Sequence, residues 1–451
     1  MIGGTGTISS AITRQLAENN NELWLLNRGT RKSEVPANVK QVIADIDDSD
    51  AVLRQIGDAQ FDAVCEFIGF LPSQVERDIR LFRGRTKQYV YISSASAYNK
   101  PAASHVITEG TTLANPYWEY SRNKIACEEL LMKEYRENGF PMTIIRPSHT
   151  YCERAVPLSV HGLKGSWQVL KRMMEGKPVL VHGDGSSLWT VTWNEDFARG
   201  FIGPLGNPKA IGEAFQIMSD EQLTWNQIYE CTGRALGVTP KLYHVASDFL
   251  AATAPKAWDF TGNLIGDKAV SVVFDCSKLK RAVPGFQTHV RFEEGIRRTI
   301  DYILKHPELQ EEDPDFDRWC DDAETVYAWS GSDLDQLRGE VKMKSIDFPL
   351  DRLAGKWADF QKIFTRSVGL KRELSLEQAV NIADISFEGH QHDALWDARN
   401  TAELFRIYRD EGRFNAVIGP LREAVNPSKP ASFTLADALG DALKGLKLPE
   451  E

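Results

Sequence analysis

Between residues 22 and 147, short β-rich runs alternate with helical ones, and no other feature restricts the chain as strongly. ELWLLNR, VKQVIADI, FDAVCEFI, QYVYISS and PMTIIRP carry the β-branched and aromatic residues of strands. SSAITRQLAEN, SDAVLRQIG, PSQVERDIRLFRG and YWEYSRNKIACEELLMKEYRENG have helical spacing, several closed by Gly or Asn. Strands alternating with helices argue a parallel sheet with helices on both faces. The expectation is an α/β, doubly wound domain over residues 1–150.

Order is less regular from 151 to 323. GSWQVLKRMMEGK, TWNQIYECTGRALGV and FEEGIRRTIDYILKH read as helices, with PVLVHG and EAFQIM as short strands between them. A smaller lobe covering the C-terminal edge of the sheet fits this pattern, with some strands free to join the sheet. The acidic stretch ELQEEDPDFDRWCDDAE then marks a junction. Beyond it lie the strand-like TVYAWS, the helix SDLDQLRGEVKM and further helical patterns, a mostly helical segment over 324–414. Residues 415–451, with NPSKPAS, read as a loosely attached tail.

At 451 residues, 42% of them hydrophobic, the chain has material for two or three domains. Its net charge of −10 advertises no basic surface for nucleic acid and no basic helix for a membrane. Six scattered cysteines without a C-x-x-C pair read as reduced thiols. No apolar run reaches the roughly 18 residues of a membrane span, so the expected compartment is the cytoplasm.

The opening MIGGTGTISSAITRQLAE runs a glycine-rich turn into a helix. Gly3 and Gly6 let the backbone approach a pyrophosphate, and Thr7 and Ile8 bring the helix's free N–H groups toward it. Ser9, where the pattern has a third glycine, is small enough for close packing. Such a loop normally follows a buried strand, of which Met1-Ile2 is all that stands here; we expect a missing first strand and a truncated or mis-started N-terminus. Asn27-Arg28 closes the next strand, where an arginine suits a 2′-phosphate and an acid would suit the ribose diol. Asp45-Ile46 falls where an adenine ring would lie.

Tyr120 and Lys124 are four residues apart on one helix face. A phenol of ordinary pKa about 10 is a poor base at neutral pH unless a cation favours its phenolate, and a lysine one turn away is such a cation. Ser94, ending QYVYISS, offers a hydroxyl to polarise a substrate carbonyl.

The glycine loop, Ser94 and Tyr120/Lys124, with SSASAY, RPSHTY and GDGSSLW…DFARG, resemble the extended short-chain dehydrogenase/reductases, the NAD-dependent epimerase/dehydratases, over about residues 1–323. The resemblance implies a Rossmann domain with NAD(P) as cofactor and Tyr120 as acid/base. Ser94 would stabilise the substrate oxygen, and Lys124 would bind ribose and tune the tyrosine. It also implies a small hydroxy or keto substrate, a nucleotide sugar being the family-level guess, with a homodimer left open. The NRG at residues 27–29 is similar to the branch containing chloroplast stem-loop RNA-binding relatives, so a non-catalytic dinucleotide- or RNA-binding module is one alternative. His149 reads as a satisfied polar group beneath the lobe, and Cys152 stands where relatives usually have glycine.

HQHDALWDARNTAELF resembles the last motif of DEDDh 3′–5′ exonucleases, of the ribonuclease H-like fold. The resemblance makes His392 the water-activating base and Asp397 a metal ligand, and Asp333 matches the middle-motif aspartate. Asp322-Ala-Glu324 imitates the first motif but lies too close to Asp333 for the strands between, so the segment reads as an inert remnant with no metal expected. Its helices would have to bury their apolar faces elsewhere. An active exonuclease is the other alternative.

Overall fold

The computed structural model describes residues 1–19, 21–30, 35–322, 326–345 and 350–425. The chain divides into two compact units, residues 1–318 and residues from 319 onward.

In the first unit, helix α1 (Ser9–Glu18) leads to strands β1 (Trp24–Asn27) and β2 (Lys40–Ile43), helix α2 (Ser49–Ile56), strand β3 (Val64–Glu66), helix α3 (Pro72–Phe82) and strand β4 (Tyr89–Ile92). Then come a short strand β5 (Val106–Ile107), the long helix α4 (Glu119–Asn138) and strands β6 (Met142–Pro147) and β7 (His149–Tyr151). The strand positions agree with the sequence reading. Local chemistry sets the ends: Asp48 caps α2 through the Ala51 amide at 2.9 Å, Pro72 opens α3, and α4 closes on Gly139 in the left-handed region.

The strands β3, β4 and β6 are parallel neighbours, and β1 pairs parallel with β2. Ile2 joins the two groups, bridging to Leu26 on one side and Glu66 on the other. Its amide donates to Cys65 O at 2.8 Å, and its carbonyl accepts from the Phe67 amide at 3.1 Å. Met1-Ile2 thus occupies the place of the first strand, and the order is that of a doubly wound sheet. β4 and β6 are buried along their whole length, as strands covered on both faces must be. On one face, Ala11, Ile12 and Leu16 of α1 pack with Phe197 and Phe201; on the other lie Val52 and Ile56 of α2, Val75 and Ile79 of α3, and Leu131 of α4.

The lobe adds helix α5 (Trp167–Met174), strands β8 (Pro178–His182), β9 (Leu188–Trp189) and β10 (Val191–Trp193), helix α6 (Asn194–Ile202) and strand β11 (Ala214–Ile217). β11 leaves the lobe to become the parallel edge strand beside β6. β7 pairs with β10, and β8 with Lys241–Val245, both parallel.

The second unit pairs Val326–Ala328 with Trp357–Asp359 in parallel, and its remaining described elements are helices. Sequence reading missed Trp357–Asp359, a three-residue run too short for visible alternation. Two corrections follow here. The helices bury Phe360, Phe364, Val368, Val380, Leu404 and Ile407 in a core of their own and need no other surface. The segment from 415 is not loose at its start: Glu411–Val425 is a helix whose Phe414 and Ile418 enter that core. Ala323, Glu324 and residues 426–451 lie outside the described residues.

Candidate functional site

The glycine turn is tied from within. Gly3 sits at φ +81°, where a side chain is strained, and a Cβ there would lie 2.5 Å from Ile68 Cγ2. Ser9 was read as a spacer, but its hydroxyl donates to Gly3 O at 2.7 Å and accepts from the Gly6 amide at 2.9 Å. Thr13 holds Gly4 O at 2.8 Å, and Asn194 at the start of α6 donates to Thr7 O at 3.2 Å. Thr7 is exposed, Ile8 half-buried, and no side chain caps α1.

Asn27 and Arg28 follow at the end of β1, where Asn27 Oδ1 accepts from the Gly29 amide at 2.9 Å and Arg28 is exposed. Asp45 and Ile46 lie in the turn after β2, where Asp45 is exposed and accepts from the Asp47 amide while the Ile46 side chain is buried in the core. An aliphatic side chain that close to the sheet gains more from burial than from lining a cleft. The apolar groups exposed just beyond β3 are Ile68, Phe70 and Leu71, which sequence reading missed; nothing in a lone FIGFL marks them as exposed.

β4 delivers Ser94 and α4 delivers Tyr120 and Lys124, so the three predicted residues do converge. Burial pushes the Tyr120 phenol up, and its hydrogen bond to Ser94 opposes that. The proposed tuning by Lys124 is not how the lysine is used here. Its ammonium donates to Gly69 O at 2.7 Å and Ile92 O at 2.8 Å, and burial lowers it to about 8. Phenol and ammonium both pay desolvation at this depth, and the carbonyls claim the lysine's protons first. A hydroxyl chain was also missed: Ser121 Oγ donates to Ser96 Oγ at 2.7 Å, which lies 2.9 Å from Ser94 Oγ. The alternate serines of SSASAY and the Ser beside Tyr120 were its visible trace.

Ser94, Tyr120, Trp118, His149, Trp189 and Lys268 line one cavity of about 230 Å³. His149 is not the satisfied group expected of it: Nδ1 is buried without a partner among the described residues, and burial lowers the imidazole to about 3. A larger hollow of about 420 Å³ at Glu109, Arg146 and Lys278 lies apart from Tyr120. Two of its charges are committed: Arg146 to Glu128, and Lys278 to Glu213.

The residues present fit a dinucleotide: an uncapped helix start, a turn that a side chain at Gly3 would obstruct, and a buried lysine between two carbonyls. In the second unit, Asp333 is exposed in the first turn of Ser332–Met343. His392 is exposed at φ +65°, and Asp397 opens Ala394–Arg409. Among the described residues, no three His, Cys, Asp or Glu side chains gather to hold a metal, and no helix is long and apolar enough to cross a membrane.

Residues 1–217 match the model of the NAD dependent epimerase/dehydratase family. The chain is 25% identical over 285 residues to 2′-dehydrokanamycin reductase of Streptomyces kanamyceticus, covering 63% of this chain and 78% of the relative. It is 26% identical over 274 residues to the chloroplast stem-loop binding protein of 41 kDa b of Arabidopsis thaliana, covering 58% and 67%. Its fold is similar to that of dTDP-glucose 4,6-dehydratase from Bacillus anthracis in complex with NAD, at TM-score 0.55 and 17% identity over 68% of this chain and 96% of that one. Sheet order, glycine turn and these matches agree in making residues 1–217 similar to the NAD dependent epimerase/dehydratase family.

Proposed function

We propose that the chain is an NAD(P)-dependent enzyme of the epimerase/dehydratase or reductase kind, acting at a hydroxyl-bearing or keto carbon of a small sugar-like substrate. The observation that carries this reading is the meeting of Ser94 and Tyr120 in one cavity, with Lys124 on the same helix as Tyr120. Two of the relatives act, by name, on dTDP-glucose and 2′-dehydrokanamycin, both of which contain sugar rings.

The turn from Gly3 to Gly6 would let the backbone approach the pyrophosphate, and the amides of Thr7 and Ile8 would meet it at the positive end of α1. Asn27 and Arg28 would meet the adenosine ribose, and Lys124 the other ribose. When bound, the dinucleotide supplies or accepts the hydride. Tyr120 keeps its proton at neutral pH because burial disfavours the phenolate. In the reducing direction it therefore stands ready as acid at the substrate oxygen, with Ser94 holding that oxygen. Ser96 and Ser121 fix the Ser94 hydroxyl from behind, so its orientation does not depend on solvent.

The test is calorimetric titration of the full chain with NAD⁺, NADH, NADP⁺ and NADPH, followed by absorbance assays at the nicotinamide band with sugar ketones and nucleotide sugars. Absence of heat with all four dinucleotides, on protein with native circular dichroism, would remove the reading.

For the second unit we propose a non-catalytic role, since among the described residues Asp333, His392 and Asp397 join no group of three His, Cys, Asp or Glu side chains that could hold a metal. Metal-dependent shortening of a labelled single strand that disappears in His392→Ala would instead make it a nuclease.

A further inference from the structure

The cavity's walls differ in chemistry. Ser94 and Tyr120 form one side; Trp189, His149 and Lys268 also face into it. Trp189 Nε1, which can only donate, and His149 Nδ1 are buried there without hydrogen-bond partners among the described residues. Unpartnered buried polar atoms are rare in folded proteins, and two on residues that line the same cavity point to a ligand that satisfies them. Lys268 makes no ion pair among the described residues; its ammonium donates to Asn263 O at 3.1 Å and lies 5.9 Å from the Trp118 ring centroid. The one carboxylate beside it, Asp267, is engaged by the buried Lys100.

The position of Lys268 is fixed by its backbone. Its carbonyl accepts from His182 Nε2 at 3.1 Å, Trp225 Nε1 at 3.2 Å and Ser187 Oγ at 3.3 Å. His182 Nε2 must then carry the imidazole proton, and Nδ1 accepts from Ser159 Oγ at 2.9 Å. Three side chains spent on one carbonyl hold the base of this cation before any ligand arrives.

We propose that Trp189, His149 and Lys268 form an anion subsite, and that the substrate is a single-ring sugar or hydroxy acid bearing its own carboxylate or phosphate. The cavity's 230 Å³ falls below the roughly 300–1,000 Å³ of pockets for drug-sized ligands, a size that suits one ring. With its imidazole lowered to about 3, His149 enters as a neutral hydrogen-bonding group, leaving Lys268 to supply the charge. This inference rests on the reading of the cavity as the substrate site.

The full chain is titrated with glucose, glucuronate, glucose 6-phosphate and UDP-glucose, and separately with NADPH and NADH. At least one of the two anionic monosaccharides should bind about tenfold or more tighter than glucose, as hydrogen bonds to charged groups warrant. The tighter of the two identifies carboxylate or phosphate as the source. Lys268→Met should reduce that preference to less than about threefold, and Lys268→Arg should retain most of it. Trp189→Phe, which keeps the ring and removes the N–H, should weaken the anion alone. Equal binding of glucose and both anions overturns the subsite. So does a preference that survives Lys268→Met, UDP-glucose binding about tenfold above glucose 6-phosphate, or no binding of any sugar. Dinucleotide binding alongside any of those results sinks this proposal only; no dinucleotide binding sinks the enzyme reading, whatever the sugars do.

Discussion

The ammonium nitrogen of Lys124 lies 5.8 Å from the ring centroid of Tyr120, one helical turn away, yet its hydrogen bonds go to backbone carbonyls. The pair shares a helix face without sharing a proton path, and this separates the roles of the two side chains.

Tyr120→Phe keeps the ring that packs 4.9 Å from Trp118 and removes the hydroxyl. Turnover should fall by about 10²–10⁴ while dinucleotide affinity stays nearly level. Steady-state rates and NADPH fluorescence titrations on the same preparation check both halves. Unchanged turnover would move the acid/base role to another group.

Lys124 should give dinucleotide binding an alkaline limb. Burial lowers the group from its ordinary value to about 8, so it is charged below that pH and neutral above it. A ribose contact made by the ammonium is therefore lost as pH rises through about 8. Affinity should weaken roughly three- to tenfold from neutral pH to well above that point. Lys124→Arg, charged throughout, should flatten the profile. Lys268 is lowered to about 8 as well, so Lys268→Met serves as the control and should keep the slope.

The two glycines of the turn should fail differently. At Gly3 an alanine meets both the left-handed backbone and Ile68, so Gly3→Ala should cost about 1–3 kcal/mol of stability together with affinity. At Gly6 the nearest atom to an added Cβ is Ser9 Oγ at 3.5 Å, an ordinary contact. Gly6→Ala should leave the melting temperature nearly unchanged and weaken dinucleotide binding by obstructing the phosphate. Calorimetric scans paired with titrations distinguish the two. Equal melting losses would show that Gly6 is also structural.

Glu128 holds Arg146 through contacts of 2.6 and 3.0 Å in a dry setting. Glu128→Ala strands a guanidinium there and should cost about 3–5 kcal/mol, read from urea unfolding. Adding Arg146→Met removes the orphaned charge and should recover much of that loss. A double variant no better than the single one would show that packing, not charge, sets the cost.

The sheet, its flanking helices and the convergence of Ser94, Tyr120 and Lys124 were legible because periodicity and spacing record them directly. What the lysine does was not legible, since Gly69 and Ile92 act through carbonyls that carry no residue identity. Ser9 looked like a spacer because a hydroxyl's partners depend on a turn only the folded chain reveals. Lys268 lies far from the motif residues in sequence, with no local pattern tying it to Tyr120, and Trp189, the end of GDGSSLW, was quoted as a motif without a place in the site. That the Ile46 side chain enters the core was not legible, because an apolar residue at a strand end can face core or cleft.

Gly69 O accepts from Lys124 and also from the Tyr91 hydroxyl at 3.0 Å. The carbonyl is thus moored twice, by a long flexible side chain and by a ring held in the sheet. Were the lysine to turn toward a ribose, Tyr91 would still tether the segment after β3, and the cleft would admit its contents by reorienting one side chain with the backbone around it left standing.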